Sequence, residues 1–349
     1  MRLGVNALGC VAFVATAALA APVWAQAQNS GAKAAAGELE VVVVTARKRE
    51  ESLQDVPIAV SSVSGEQMLD THITRATEIQ NYIPNLTING AFGVVNPQIF
   101  IRGVGNNDFN DNAGATVGVY QDEVYLSAPA GKLVQTYDLE SVQVLRGPQG
   151  TLFGKNNTAG AIAFASTKPS GEFEGYVRAT LGNLERADVE GAMSFPISDS
   201  LSGRVAVQRN SRSGYAKNLD ENGAVREQIG AIDELAGRFL LRWQRDNLDV
   251  VLNLNFSDAD NERLPGKSFG INPDGTDFGG FVNPDPGNIR QNSANFKEIE
   301  AVETRGAILN ASYELADFTV ASISGYYNAE RHVTLDVDKS PNNLLHIIR

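Results

Sequence analysis

The chain has 349 residues, 43 % of them apolar, a single cysteine and a net charge of −12 at neutral pH. That acidic balance argues against binding nucleic acid or an anionic surface, both of which call for basic patches. Past the N-terminal apolar run no segment offers the 18 or so continuous apolar residues of a membrane helix, so a membrane location would require a closed β-barrel, the other architecture that satisfies its backbone groups in lipid.

The first residues read as an export label. Arg2 gives a short positive start, Leu8 to Ala20 is apolar and small, and Val23-Trp24-Ala25 offers a cleavage site, with Ala25-Gln26-Ala27 as a second choice. This is a secretory signal peptide, expected over 1–25. Leu8-Gly9-Cys10 precedes the apolar run, so it does not fit a lipoprotein site. Cys10 would leave with the leader, and a mature exported chain without disulfides is held by its fold alone.

Residues 26–51 are expected to be a tether with an exposed strand. Gln26 to Gly37 is small, polar and alanine-rich, which reads as a flexible linker. Glu40-Val41-Val42-Val43-Val44-Thr45 then strongly prefers extended structure. A buried strand is the ordinary reading of such a run. Between a linker and the charged cluster Arg47 to Glu51, however, burial is awkward, and a tethered sticky strand is what addition to a partner's sheet edge requires.

Residues 52–170 look like a small α+β domain. Val56 to Val60 is a short strand, and Ser64 with Gln67 forms a capping box that opens a brief helix towards Asp70. A second helical turn is expected from Thr74 to Tyr82, stopped by Pro84. Short strands then alternate with glycine turns to about Ala165. Gly103, Gly105, Gly147, Gly150, Gly154 and Gly160 fit places where the backbone turns tightly or passes close to another segment.

Three segments in this order carry a resemblance: Val41 to Ala46, Ile99-Phe100-Ile101-Arg102-Gly103, and Asp138 to Gly154 with Arg146-Gly147-Pro148 at its centre. Together they resemble the plug domain of TonB-dependent outer-membrane receptors. The resemblance implies a plugged β-barrel in the outer membrane of a Gram-negative bacterium that imports a scarce nutrient, usually a ferric siderophore, without a cofactor or a resident metal. It makes Glu40 to Thr45 the TonB box, which pairs with the TonB energy-transducing complex. Outer-membrane lipid and an iron-chelate ligand would be the other partners, and nucleic acid is not among them.

After Gly171 the texture changes to segments of about ten residues that alternate apolar and polar, as in lipid-facing barrel strands. Seven are expected: Phe173 to Leu181, Ala187 to Phe195, Leu201 to Gln208, Phe239 to Trp243, Leu248 to Phe256, Ala307 to Leu315 and Phe318 to Tyr327. A soluble β-sandwich also alternates. The tight connections at Pro196 to Ser200, Arg245 to Asn247 and Ala316 to Asp317, set against long polar excursions at Gly214 to Ala236 and Asp258 to Glu303, favour the barrel. The expected fold is thus a plug followed, over 171–349, by antiparallel transmembrane strands. Seven strands make an incomplete barrel, since one that houses a folded domain takes about 22, and a fragment that does not insert as a working transporter is the expectation.

Candidate ligand contacts lie in two polar loops, Gly90 to Asn96 with Phe92, and Asn106 to Ala115 with Asn107, Phe109 and Asp111. Ordinary turn chemistry explains such loops as well. Arg102 and Arg146, each beside a glycine, are expected to face acidic residues on the inner barrel wall. Catalysis gains no support: His72, His332 and His346 are scattered, Gly154-Lys155-Asn156 lacks a phosphate-loop pattern, and Asn272 to Gly279 lacks the closing glutamate of a helix-loop-helix calcium site. Two alternatives stay open: cargo such as cobalamin, haem or a saccharide, and a non-transporting exported binding or adhesion protein.

Overall fold

The structure is a computed structural model that describes residues 43–44, 51–52, 56–89, 97–108, 113–133, 136–220, 222–262, 266, 270, 272–277, 279–283, 287–288, 290–342 and 346–348. The expected signal peptide therefore lies outside the described residues. The first elements are two short strands, β1 (Val43–Val44) and β2 (Glu51–Ser52), paired antiparallel with Val43 opposite Ser52.

The N-terminal domain then runs β3 (Ala59–Ser64), α1 (Gly65–Asp70), a 3-10 helix (Ala76–Asn81), β4 (Leu86–Asn89), β5 (Gln98–Ile101), β6 (Val104–Gly105), β7 (Val117–Gln121), β8 (Val124–Tyr125), β9 (Leu139–Arg146), α2 (Gly150–Phe153) and β10 (Gly160–Ser166). The capping box at Ser64 is formed: the Gln67 amide donates to Ser64 Oγ, and the Ser64 amide donates to Gln67 Oε1, both at 3.1 Å. The strand expected at 56–60 instead runs from Ala59 into that cap, because it pairs antiparallel with β9 from Ala59 opposite Arg146 to Ser64 opposite Ser141.

A five-stranded sheet in the order β3-β9-β10-β7-β8 forms the centre, with β10 parallel to β7 and antiparallel to β9. One face packs Val142, Val144, Ile162 and Phe164 against Met68 of α1, Ala76 and Ile79 of the 3-10 helix, and Ile99 and Ile101 of β5. Burial of aliphatic side chains of this size contributes about 1.5–3 kcal/mol each, so this cluster is the principal stabiliser of the domain. The β3–β9 and β9–β10 ladders explain why a domain with two short helices and a 3-10 turn still buries most of β7, β9 and β10.

The second part is an eight-stranded antiparallel sheet in the order β11 (Glu174–Gly182), β12 (Arg186–Ser198), β13 (Leu201–Arg212), β16 (Ile232–Arg245), β17 (Leu248–Glu262), β19 (Ile299–Glu314), β20 (Thr319–Asp336) and β21 (His346–Ile348). All seven expected strands are present, and β21 adds an eighth. The strands reach further into the polar segments than their alternation suggested, with Arg212 opposite Ile232 and Glu262 opposite Ile299. Ladder hydrogen bonds persist there although the side chains no longer alternate in hydropathy. Inside the long connections, β14 (Ala216–Leu219), β15 (Val225–Ile229) and β18 (Gln291–Asn292) form a separate three-stranded sheet.

The wall sheet is inside out relative to a soluble protein. Val189, Met193, Val205, Val207, Leu254 and Phe256 are exposed, whereas Asp188, Glu190, Ser194, Arg204, Gln208, Arg238, Asn253 and Asn255 are buried. Alternating residues thus turn apolar groups outward and polar groups towards the N-terminal domain. Trp243, Tyr313 and Phe318 are exposed at the end that carries the tight turns, where barrel strands place their aromatic girdle.

Candidate functional site

The N-terminal domain and the wall belong to one body spanning Val41–Arg349, and the chemistry of the molecule is concentrated where they meet. Tyr137 and Asp138, just before β9, are the centre of that contact. The Tyr137 ring is fully buried in a bay floored by Ala192, Ala206 and Ala236 from three adjacent wall strands. Arg238 lies over the ring with its guanidinium carbon 4.8 Å from the centroid. Burial is the main cause that pushes the Tyr137 phenol up to about 12; Asp138 and Glu190 add to it and Arg238 opposes it. The phenol is therefore neutral at every physiological pH.

Asp138 adopts φ +50°, a left-handed conformation that aspartate tolerates better than most residues. This aims its carboxylate at Arg204 of β13, which grips it with two nitrogens, Nη2 to Oδ1 and Nε to Oδ2 at 2.8 Å. The remaining Nη1 donates to Ser194 Oγ at 2.8 Å. Arg238 Nη1 donates to the carbonyls of Tyr137 and Asp138, both at 3.2 Å. Beside them Glu190 accepts from the Tyr176 hydroxyl at 2.6 Å and from Arg178 Nη2 at 2.8 Å, and Arg178 Nη1 donates to the carbonyl of Leu69 at the end of α1 at 3.0 Å.

Three further contacts pin the domain. The β7–β8 turn has Asp122 and Glu123 at φ +46° and +70°, a hairpin geometry usually given to asparagine and glycine. The Asp122 carboxylate accepts from the amide and hydroxyl of Ser166, at 2.7 and 2.8 Å, and from wall Asn253 at 2.5 Å. Its carbonyl accepts from Asn310 at 3.1 Å. Arg75 pairs with Glu234 at 3.2 Å, a carboxylate also held by Asn210 and Asn261. Tyr327 of β20 donates to the carbonyl of Gly131 at 3.0 Å. A cavity of about 380 Å³, lined by Tyr120, Gln143, Ala163, Asp249, Asn253 and Asn310, separates the second face of the central sheet from the wall.

Such a seat is firm but polar. Each neutral hydrogen bond can be exchanged for water at a net cost of about 0.5–1.5 kcal/mol, while apolar contact with the wall is made by Tyr137, by Ala130 against Val302, and by Tyr327 against the domain core. Alternating apolar residues reveal the wall strands, but nothing in their spacing says which inward arginine meets which residue of the domain. Asp138, Arg204 and Arg238 therefore escape a sequence-based reading. The run of small inward residues Ala192, Ala206 and Ala236 is the one signal that a large side chain must be accommodated.

The residues singled out from sequence are distributed as follows. Val43 and Val44 form β1, while Glu40, Val41, Val42 and Thr45 lie outside the described residues, as do Phe92, Phe109 and Asp111. Asn107 is exposed, its carbonyl accepting from Gln98 Nε2. Arg102 and Gly103 form the tight turn after β5, and Arg146 ends β9 with Gly147 at φ +107° and Pro148 exposed ahead of α2. The two turns meet: Arg102 Nη1 lies 3.8 Å from where a Cβ on Gly147 would stand. Gly154 has φ +76°. Gly150 departs from expectation, since it is not in the left-handed region and has open space around it. Among the described residues neither Arg102 nor Arg146 reaches a carboxylate. The most buried described ion pair has the opposite polarity, with the acid on the domain and the arginine on the wall.

Residues 52–161, which span most of the N-terminal domain, match the family model described as the TonB-dependent receptor plug domain. That stretch is identified as a TonB-dependent receptor plug domain. The pesticin receptor of Yersinia pestis is 28 % identical over 201 residues, 56 % of this chain and 29 % of that protein. The ferrioxamine receptor of Yersinia enterocolitica is 24 % identical over 208 residues, 56 % of this chain and 26 % of that protein. Among solved structures, the ferric yersiniabactin uptake receptor of Yersinia pestis superposes with a TM-score of 0.66 at 19 % identity, over 79 % of this chain and 42 % of that one. The ferripyoverdine receptor of Pseudomonas aeruginosa gives 0.68 at 16 % identity, over 86 % and 38 %. The chain thus spans less than a third of these curated relatives, and its fold is that of a plug domain followed by eight antiparallel wall strands.

Proposed function

We propose that this chain is the plug-bearing part of an outer-membrane receptor that imports a ferric siderophore into the periplasm of a Gram-negative bacterium, energised through TonB by the inner-membrane proton gradient. The observation that carries the reading is the polar seat itself: a plug held by Asp138, Asp122 and Arg75 against the polar face of a wall whose other face is apolar. The names of relatives such as the ferrioxamine and ferric-pyoverdine receptors support iron chelates as the cargo class.

In this reading residues 1–25 are the export signal and residues 26–51 carry the TonB box, Glu40 to Thr45. The transducer adds a strand to that box along the edge not occupied by β2. Ligand reaches the plug at the loop containing Asn107 and at the neighbouring loop containing Phe92. Pulling on the box loosens the plug, and water replaces the wall hydrogen bonds as it moves.

Radio-iron uptake and outer-membrane fractionation test the proposal together. In a full-length receptor containing this chain, Val43→Pro removes a backbone donor and fixes φ, so binding of a ferric chelate should persist while uptake stops. Uptake at the unmodified rate by that variant refutes the role of the box, and recovery of the protein in the soluble fraction refutes the receptor reading.

A further inference from the structure

Lys132 sits in the plug one residue after the Gly131–Tyr327 contact. It is 8 % exposed and has no hydrogen-bond or ion-pair partner among the described residues. A buried ammonium is costly unless an anion meets it, and the other cations described at the plug contact, Arg75, Arg178, Arg204 and Arg238, all have acceptors. Burial lowers the Lys132 amine to about 8, in keeping with a charge that nothing neighbouring compensates.

Lys132 lines a cleft of about 40 Å³ together with Gln98, Asn106, Asp108, Thr116 and Pro129. That is room for one small polar group, since a single water needs about 10–15 Å³ by the same measure. The Thr116 hydroxyl is a second group there without a hydrogen-bond partner. Asp108 lines the cleft without pairing with Lys132. The lining residues all come from the plug and include the loop around Asn107. Wall residues Thr304 and Tyr327 meet Gly131, and Tyr327 also lines a separate cavity of about 10 Å³ with Lys132.

We propose that Lys132 and Thr116 form an anion pocket that receives one carboxylate of the incoming ferric chelate, making the receptor selective for chelates with a free acidic arm. This rests on the iron-chelate reading above. Seating the carboxylate beside Lys132 would act on the segment that Gly131 ties to β20, which links recognition of charge to the hold of the wall on the plug.

Three probes share one ferric trihydroxamate core: ferrioxamine B with its cationic amine, the neutral N-acetyl derivative, and the N-succinyl derivative with a pendant carboxylate. Titrated by isothermal calorimetry against the detergent-reconstituted receptor, the succinyl form should bind roughly 10- to 100-fold more tightly than the acetyl form, as expected for one charge-assisted hydrogen-bonded contact. K132M should abolish that preference while retaining the acetyl affinity, and T116V should reduce it. Equal binding of all three by the unmodified protein, or a preference retained in K132M, overturns the proposal. A second arm reads acylation of Lys132 by mass spectrometry. Slowing by millimolar acetate supports the pocket even if no ferric probe binds, in which case the iron-chelate reading falls alone. Protection that is already complete and unaffected by any probe assigns the lysine to a carboxylate of the receptor itself, and the proposal fails.

Discussion

Asp138→Asn tests the seat of the plug with the least disturbance. Asparagine keeps the side-chain shape and the tolerance for φ +50°, and it leaves the carbonyl that accepts from Arg238 in place. What it removes is the charge opposite Arg204. The two side chains are 1 % and 6 % exposed, so solvent cannot take over, and stripping one partner from a buried pair costs about 3–5 kcal/mol. Since about 1.4 kcal/mol is tenfold in an equilibrium constant, local opening of the plug contact should increase by roughly 10²- to 10⁴-fold. Hydrogen exchange of the Asp138 amide, which donates to wall Glu190 Oε1 at 3.4 Å, reads this directly in the detergent-reconstituted protein. Asp138→Asn combined with Arg204→Met should be less damaging than the sum of the single changes, because no unpaired charge is left behind. Additivity to within about 0.5 kcal/mol, or an exchange increase below about threefold, would refute the assignment of this pair as the principal anchor.

Arg75→Met should cost no more than about 1 kcal/mol in the same assay, because the Arg75–Glu234 pair is 31 % and 24 % exposed and Glu234 keeps two asparagine donors. Asn157→Ala should destabilise the plug to urea by about 1–3 kcal/mol, since its amide serves the Tyr120 hydroxyl at 2.7 Å and the Lys155 carbonyl at 2.9 Å in a buried turn. Lys132 predicts a pH dependence. Its amine titrates near 8 in the folded plug and near 10.5 when unfolded, so between those values the unfolded chain binds more protons and stability rises with pH, by up to about 3 kcal/mol. The folded state bears the full penalty below pH 8, and Lys132→Met should flatten the rise in urea midpoints measured from pH 8 to 10.

The wall was legible because lipid on one face and a polar interior on the other impose a two-residue period, and that period survives in Val205-Ala206-Val207 and Leu252-Asn253-Leu254. It faded in the outer parts of the strands, where the ladders extend β16 back to Ile232 and β20 on to Asp336 without a regular apolar–polar alternation. The capping box at Ser64 was equally readable, because its two hydrogen bonds span only three residues. The glycine turns at Arg102-Gly103 and Arg146-Gly147 announced themselves through backbone demand, but that they lie against each other required the folded chain.

Local chemistry written along the chain decided where strands, caps and tight turns form, together with the inside-out character of the second half. Only the tertiary structure decided that Asp138 meets Arg204, that Tyr137 fills a bay of three alanines, and that Lys132 is buried without a partner. Periodicity fixes which face a side chain takes, whereas a contact between residues 66 positions apart depends on the register of many intervening strands.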